Sequence, residues 1–273
     1  MGFCSSDSRI KIARSALHFW EEPCISGKNG AGTVFFSGCN MKCVYCQNYE
    51  ISHGGKGKYV SEDELAEEFL HLEALGAHNI ELVTPTHYVP NIKEALDIAR
   101  AEGLCLPVVY NCGGYEKEET IESLRGYVDI FMPDIKYFSD KYAMEYSLAP
   151  NYFETAKKAL SAMVNMAGEP TFDADGIMQR GVIVRHMMLP GALFDTKKII
   201  DYLSSEYGDK IYISLMSQYT PTPSVCNHRL LSKRINKAHY EAMAEYIECL
   251  GLKNVFLQDV SSAEESYIPE FGY

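Results

Sequence analysis

The alternation of strand-like and helix-like segments is the feature that most restricts the fold of this chain. Six apolar runs rich in β-branched and aromatic residues have the length of strands, and segments with helical period separate them. Such β-then-α units in series predict parallel strands with helical crossovers. Because eight units would close a full barrel, we predict an α/β fold with a partial, laterally open, TIM-like (βα)6 barrel, and a doubly wound sheet is the alternative. The six runs are GTVFFSG (32–38), NIELVT (79–84), LPVVYN (106–111), VDIFMPDIKY (128–137), GVIVRHMML (181–189) and KIYISLM (210–216).

Two of the intervening segments carry clear helix signals. In SEDELAEEFLHLEALG, apolar residues from Leu65 to Leu75 recur at helical spacing, and Ser61 followed by Glu64 predicts a capping box. The segment NKAHYEAMAEYIECLG has the same period, and Gly251 has the position of a helix-terminating glycine.

Composition and charge exclude several classes of protein. The chain has 273 residues, with 37 acidic residues against 25 lysines and arginines and a formal net charge of −12. This charge argues against nucleic acid or an anionic membrane as the main partner. No apolar run approaches the ~20 residues of a membrane helix, and no N-terminal apolar signal segment is present, so a cytoplasmic protein without disulfides is expected. We predict one domain, with a lead-in (1–31), a barrel core (32–250) and a C-terminal extension (251–273).

Unusual polar residues follow the end of each predicted strand. The carboxyl ends of parallel strands meet at one edge of a sheet or barrel, so these residues predict a single shared site. After the cysteine-rich loop that follows the first strand, the segments are TPTHY (84–88), NCGGY (111–115), PDIK (133–136), RHMMLPG (185–191) and SQYTPTP (217–223).

Cys39, Cys43 and Cys46 have the spacing CxxxCxxC within FFSGCNMKCVYCQNYEIS. Thiolates suit iron–sulfur clusters and zinc. A structural zinc site normally has four ligands, and neither Cys4 nor Cys24 provides a second cysteine pair. The spacing therefore favours a four-iron cluster in which one iron has no protein ligand, and structural zinc is the alternative.

The segment GCNMKCVYCQN resembles the CxxxCxΦC signature of the radical S-adenosylmethionine (SAM) superfamily, with Tyr45 as the aromatic residue. The resemblance implies a [4Fe–4S] cluster bound by the three cysteines, whose remaining iron binds the amino and carboxylate groups of SAM. It implies that one electron from the cluster cleaves SAM into methionine and a 5′-deoxyadenosyl radical, which abstracts hydrogen from a substrate. The implied fold is the radical SAM core, a partial (βα)6 barrel.

Two longer segments, HFWEEPCISGKNGAGTVFFSGCNMKCVYCQNYEIS and DIKY, look like a branch related to pyruvate formate-lyase activating enzyme, composed of uncharacterised activating-enzyme-like iron–sulfur proteins. The resemblance implies a radical SAM oxidoreductase, reduced by a flavodoxin or ferredoxin. Its substrate would be a glycyl-radical enzyme, another peptide or a small molecule. An iron–sulfur electron carrier or redox sensor is the non-enzymatic alternative. A C-terminal segment that covers the lateral face would favour a small substrate, and the tail (258–273) is a candidate for such a cover.

The SAM contacts are expected at the strand ends. Where the superfamily commonly has Gly-Gly-Glu after its second strand, this chain has VTPTHY, so Thr84 and Thr86 are the candidates for the SAM ammonium group. Asn111 is the candidate for its carboxylate or ribose. The aromatic Tyr45 is also expected to contact the cofactor.

Asp134 and Lys136 resemble the Asp-Leu-Lys motif of activating enzymes, and we expect them to contact the ribose and the carboxylate of SAM. Arg185 and His186 are neighbours on a strand and must point to opposite sides of it. We expect His186 to face the site. Cys112 is the additional cysteine expected near it.

Overall fold

The computed structural model of the protein describes residues 2–258. The strands in this range are β1 (Lys11–His18), β2 (Ala31–Phe36), β3 (Lys58–Tyr59), β4 (Ile80–Val83), β5 (Val108–Cys112), β6 (Ile130–Pro133), β7 (Thr171–Phe172), β8 (Met178–Met187), β9 (Tyr212–Met216) and β10 (Val255–Leu257). The α-helices in this range are α1 (Pro23–Ser26), α2 (Tyr49–Ser52), α3 (Glu62–Ala74), α4 (Val89–Ala101), α5 (Glu118–Glu122), α6 (Asp140–Ser147), α7 (Tyr152–Ala167), α8 (Leu193–Glu206) and α9 (Lys237–Cys249).

The strands form one mostly parallel sheet. Its order is β10-β9-β8-β6-β5-β4-β2-β1-β3, and β7 pairs with β8. The pairs from β2 to β10 are parallel, whereas β1 runs antiparallel to β2 and to β3. Within residues 2–258 the two outermost strands do not pair with each other, so the sheet is open. The predicted partial, open α/β barrel is confirmed.

All six predicted strands are present, as β2, β4, β5, β6, β8 and β9. Strand β10 adds a seventh parallel strand beyond the predicted end of the core at residue 250. Strand β1, in the predicted lead-in, was not expected because KIARSALH mixes charged and apolar residues and most of it is only half-buried. It instead extends the sheet at the β2 edge.

The two helix signals are confirmed with one difference. The Ser61 hydroxyl accepts a hydrogen bond from the Glu64 backbone N–H (3.1 Å), and the Glu64 carboxylate accepts one from the Ser61 N–H (2.7 Å). Leu72 is buried on the core face of α3, but Leu75 is 50% exposed because it follows the last turn of the helix. Gly251 has a positive φ of 73° just after α9, a conformation that glycine adopts without strain.

None of the helices within residues 2–258 combines the length and apolar character that crossing a bilayer requires. The division into lead-in, core and extension stays a prediction. Residues 259–273 of the predicted extension, including nearly all of the tail considered as a lateral cover, lie outside the described residues.

Candidate active site

A cavity of about 240 Å³ lies at the carboxyl ends of the parallel strands, where the sequence predicts the site. It is lined by residues of the cysteine loop and of the segments that end β4, β5, β6, β8 and β9. Two predicted site residues, Thr86 and His186, are not among its lining residues. The predicted residues that do line it are Cys39, Cys43, Tyr45, Cys46, Thr84, Asn111, Asp134 and Lys136.

Each of the three loop cysteines has a sulfur atom that accepts a hydrogen bond. Hydrogen bonds to sulfur orient cluster ligands and tune the cluster that they bind, so this donor set fits an iron–sulfur cluster. The donors are the Met41 backbone N–H to Cys39 (3.4 Å), the Ser147 hydroxyl to Cys43 (3.0 Å) and the Ser52 hydroxyl to Cys46 (3.2 Å).

In the protein without a bound metal, burial disfavours the thiolate forms of these three cysteines. It raises the pKa of Cys39 to about 12 and that of Cys43 to about 11, and it also raises the pKa of Cys46, whereas the nearby charge of Lys136 acts in the opposite direction. Iron cations bound by all three sulfurs would offset this cost. Between residues 2 and 258, no three His, Cys, Asp or Glu side chains are arranged to hold a single metal ion.

The other cysteines considered as ligands do not join the loop cysteines. The Cys4 carbonyl accepts a hydrogen bond from the Cys39 N–H (3.4 Å), but Cys4 does not line the cavity. Cys24 is buried in a separate apolar cluster. Cys112 does line the cavity, as expected, and burial together with Glu116 raises the pKa of its thiol well above its ordinary value.

Two residues that follow or end neighbouring strands line the cavity in constrained conformations. Thr84, directly after β4, has a positive φ of 59°, which is costly for a β-branched residue and occurs mainly at functional sites. Asn111, in β5, donates from Nδ2 to Glu81 Oε1 (2.8 Å), and the other Glu81 oxygen accepts from the Thr33 hydroxyl (2.6 Å). Sequence reasoning missed Glu81, although a carboxylate in the buried strand IELV was a usable signal.

Thr86 points away from the cavity. Its hydroxyl donates to Glu116 Oε1 (2.6 Å). The Glu116 carboxyl is buried, and the Tyr110 hydroxyl lies 3.5 Å from its other oxygen. Burial raises the pKa of Glu116 to about 7. Thr86 thus belongs to a buried polar cluster and not to the cavity lining.

Asp134 and Lys136 lie just beyond β6 and form an ion pair with each other. Burial disfavours the charged form of Lys136, but Asp134, together with Cys43 and Tyr152, outweighs this effect, and the pKa of Lys136 is raised well above its ordinary value. The Tyr152 hydroxyl holds this segment, because it accepts from the Lys136 N–H (2.9 Å) and lies 2.8 Å from the carbonyl oxygens of Gly113 and Asp134.

Arg185 and His186 have orientations opposite to the expectation. Arg185 lines the cavity and forms ion pairs with Glu21 (2.8 Å) and Glu22 (3.5 Å). The His186 ring is buried on the other side of β8, where Nδ1 lies 2.6 Å from the Ile135 carbonyl oxygen and Nε2 lies 2.9 Å from the Thr196 hydroxyl. Burial lowers the pKa of His186 to about 4, so the ring is neutral. Side-chain alternation along a strand predicts that only one of Arg185 and His186 faces the cavity. Arg185 is the one that does, because its carboxylate partners, which are distant in the sequence, lie on that side.

A family model described as the radical SAM superfamily matches residues 33–203. The chain belongs to the radical SAM superfamily. Membership implies a [4Fe–4S] cluster and SAM as its cofactors, and the protein is a radical SAM enzyme. The matched residues contain the cysteine loop and the ends of β4, β5, β6 and β8 that line the cavity, whereas the end of β9 lies beyond them.

Known proteins similar to this radical SAM chain do not reveal its substrate. An uncharacterized protein of Methanocaldococcus jannaschii is 27% identical over 268 residues, which are 93% of this chain and 72% of that protein. A radical SAM methyltransferase from Sphaerobacter thermophilus has a similar structure, with a TM-score of 0.57, 14% identity and coverage of 85% of this chain and 69% of that one.

Streptococcus suis SuiB bound to SAM has a TM-score of 0.52 and 10% identity, and the match covers 81% of this chain and 47% of SuiB. The chain therefore spans about half the length of SuiB. At these identities the two solved structures show a shared fold alone.

Proposed function

We propose that Cys39, Cys43 and Cys46 bind three irons of the [4Fe–4S] cluster, and that the fourth iron is available to SAM. The hydrogen bond to each sulfur, the burial of the site and the common cavity support this assignment. When bound, the cluster and SAM supply a 5′-deoxyadenosyl radical. We assign the SAM contacts to the predicted residues that line the same cavity, namely Tyr45, Thr84, Asn111, Asp134 and Lys136.

The protein's own residues bind and orient SAM in this proposal. Lys136 provides a fixed cation for the SAM carboxylate, and its pairing with Asp134 limits its mobility. Asn111, held by Glu81, presents an oriented amide to the cofactor. Thr84 offers a hydroxyl and a strained backbone for the ammonium group. We do not assign a SAM contact to Thr86 or His186, because both side chains are bonded outside the cavity.

We further propose that the substrate is a peptide segment of a larger protein, as for an activating enzyme of a glycyl-radical protein. The open sheet carries this proposal, because within residues 2–258 its outermost strands, β10 and β3, do not pair and the sheet does not close around the cavity at the strand ends. A substrate then reaches the cavity at its rim, where Trp20 is 59% exposed. Within the described residues, the open sheet leaves room for a protein loop. SuiB, which has the same fold, was solved bound to a precursor peptide.

The substrate class is testable with fractionated extract of the source organism. The cluster-loaded protein would be incubated anaerobically with dithionite and SAM deuterated at the 5′ carbon, together with either the large-molecule or the small-molecule fraction from ultrafiltration. We expect the large-molecule fraction to raise the rate of 5′-deoxyadenosine formation. Protease treatment of that fraction, but not nuclease treatment, should remove the stimulation. Deuterium transferred to a protein would identify the substrate if SAM is regenerated.

Two variants provide the controls. Cys43→Ala should lose the bound iron and all 5′-deoxyadenosine formation, whereas Cys249→Ala, at an exposed cysteine of α9, should keep both. Stimulation by the small-molecule fraction alone would overturn the peptide proposal in favour of a small substrate. A natural reductant is part of the same proposal, and purified flavodoxin or ferredoxin should replace dithionite.

A further inference from the structure

A chain of three buried hydroxyl groups leads to the sulfur of one proposed cluster ligand. The Ser147 hydroxyl donates to Cys43 Sγ (3.0 Å), and the Tyr137 hydroxyl lies 2.6 Å from Ser147 Oγ. The Tyr45 hydroxyl lies 2.6 Å from that of Tyr137. All four residues are buried, so water does not compete for these hydrogen bonds. The aromatic residue of the cysteine signature is therefore linked to a ligand of the same loop through Tyr137, 92 positions from Tyr45, and Ser147, 104 positions from Cys43.

The direction of each hydrogen bond in this series of hydroxyl groups follows from the sulfur atom at which the series ends. A deprotonated Cys43 sulfur can only accept, so Ser147 must donate its single hydroxyl proton to it. Ser147 Oγ is then available only as an acceptor, and Tyr137 donates to it. By the same reasoning Tyr45 donates to Tyr137. Three aligned donors polarise one another, which strengthens the last bond, the one to sulfur.

Tyr45 and Tyr137 both remain able to donate a hydrogen bond in the buried site. Burial raises the pKa of both Tyr45 and Tyr137 well above the ordinary value for a phenol, so both side chains keep their protons. Tyr45 also packs edge-on against Tyr219, with ring centroids 5.9 Å apart. Tyr137 packs in the same way against Tyr152, with centroids 5.4 Å apart. These contacts restrict the rings to the positions that the hydrogen bonds require.

Backbone hydrogen bonds hold Ser147 against the cysteine loop. The Lys42 N–H donates to the Ser147 carbonyl (3.0 Å), and the Val44 N–H donates to the Tyr146 carbonyl (2.9 Å). The residues on both sides of Cys43 are therefore joined to the C-terminal end of α6. The position of the Ser147 hydroxyl is set by the backbone and does not depend on its side-chain contact with sulfur alone.

We propose that Ser147, oriented by Tyr137 and Tyr45, is a positioning residue that makes the cluster easier to reduce by donating a hydrogen bond to the Cys43 sulfur. An added electron increases the negative charge on the ligand sulfurs, so a donor at this position stabilises the reduced cluster more than the oxidised one. The electron comes from the external reductant, and no hydroxyl proton is transferred. This inference rests on the proposed assignment of Cys43 as a ligand.

The test compares cluster-loaded Ser147→Ala, Tyr137→Phe and Tyr45→Phe with the unaltered protein. The readouts are the midpoint potential, from redox titrations followed by electron paramagnetic resonance, and the Fe–S stretching frequencies in resonance Raman spectra. We expect Ser147→Ala to lower the equilibrium constant for reduction about tenfold, which is about 59 mV for a one-electron couple. Tyr137→Phe should shift the potential less in the same direction, and Tyr45→Phe least. Fe–S(Cys) frequencies should shift in the same order.

Tyr146→Phe is the matched control, because Tyr146 contacts the Tyr137 ring (centroids 6.3 Å apart) but its hydroxyl is not part of the chain of donors. Its potential should equal that of the unaltered protein. Unchanged potentials in Ser147→Ala and Tyr137→Phe, with full iron content, would overturn the inference and leave the proposed function intact. If Ser147→Ala fails to retain its cluster, Tyr137→Phe alone decides by the same criterion. An unaltered protein that binds no cluster would instead refute the proposed function.

Discussion

The carboxyl group of Glu81 holds the side chain of Asn111 at the edge of the cavity. Glu81 Oε1 accepts a hydrogen bond from Asn111 Nδ2 at 2.8 Å, and its second oxygen accepts one from Thr33 at 2.6 Å. Glu81 does not line the cavity itself. Its role is to fix the orientation of a residue that does.

We expect Glu81→Ala to weaken SAM binding about tenfold and to lower the free energy of unfolding by about 1–3 kcal/mol, because the buried Thr33 hydroxyl and the half-buried Asn111 amide lose their partner. Glu81→Gln should have little effect, since its amide oxygen still accepts from Asn111 and its NH₂ group can donate to the Thr33 hydroxyl. Isothermal titration with SAM and anaerobic urea unfolding measure both effects. Equal losses in the two variants would contradict this account of Asn111.

Thr84→Gly should stabilise the fold by about 1 kcal/mol, because glycine adopts the positive φ at this position without the Cβ clash. The same variant should bind SAM more weakly if the hydroxyl contacts the cofactor. The matched control is Thr171→Gly in the exposed strand β7, where added chain entropy should cost about 0.5–1 kcal/mol. Urea unfolding would refute the strain argument if both variants were destabilised to the same extent.

Glu116 predicts a dependence of stability on pH. Its folded-state pKa is about 7, against an ordinary value of 4.5, because burial of the carboxyl outweighs the hydrogen bonds from Thr86, Tyr110 and Cys112, which act to lower it. The stability that this group contributes is therefore fully present below about pH 4.5 and is lost as the pH rises through about 7.

Glu116→Gln, which cannot ionise, should accordingly reduce the fall in unfolding free energy between pH 5 and pH 8 by on the order of 3 kcal/mol. Urea unfolding at several pH values measures the slope. Glu118→Gln, at an exposed position of α5, should leave it unchanged. A slope that is identical in Glu116→Gln and the unaltered protein would show that this carboxyl does not titrate in that range.

Replacement of Arg185, which lies in strand β8, is expected to lower the stability of the protein strongly. Arg185→Gln leaves the buried carboxylates of Glu21 and Glu22 without their cation and should cost about 3–5 kcal/mol. The double variant Arg185→Gln/Glu21→Gln should recover part of this loss. Lys197→Gln, which removes a more exposed ion pair with Asp201, should change stability by less than about 1 kcal/mol. Additive effects in the double variant would exclude the proposed coupling.

Local patterns were sufficient to predict much of the molecule. The six strands and the capping box at Ser61 follow from hydrophobic period and short-range hydrogen bonding, and the common cavity was predicted from the polar residues that directly follow each strand. The spacing of Cys39, Cys43 and Cys46 favoured an iron–sulfur cluster, because one loop carries all three thiols. These features depend on residues close together in the chain, and their physical causes are visible in the sequence.

Other features depended on residues that only folding brings together. Alternation required Arg185 and His186 to diverge, but Glu21 and Glu22, more than 160 positions earlier, determine which of them faces the cavity. The Thr86 side chain points away from the cavity because its hydroxyl donates a hydrogen bond to the buried Glu116. The hydrogen bond from Ser147 to Cys43 joins residues 104 positions apart, and no spacing rule relates them. Side-chain orientation in a buried polar site is set by such distant partners, because each buried charge or hydroxyl must be satisfied where the fold places it.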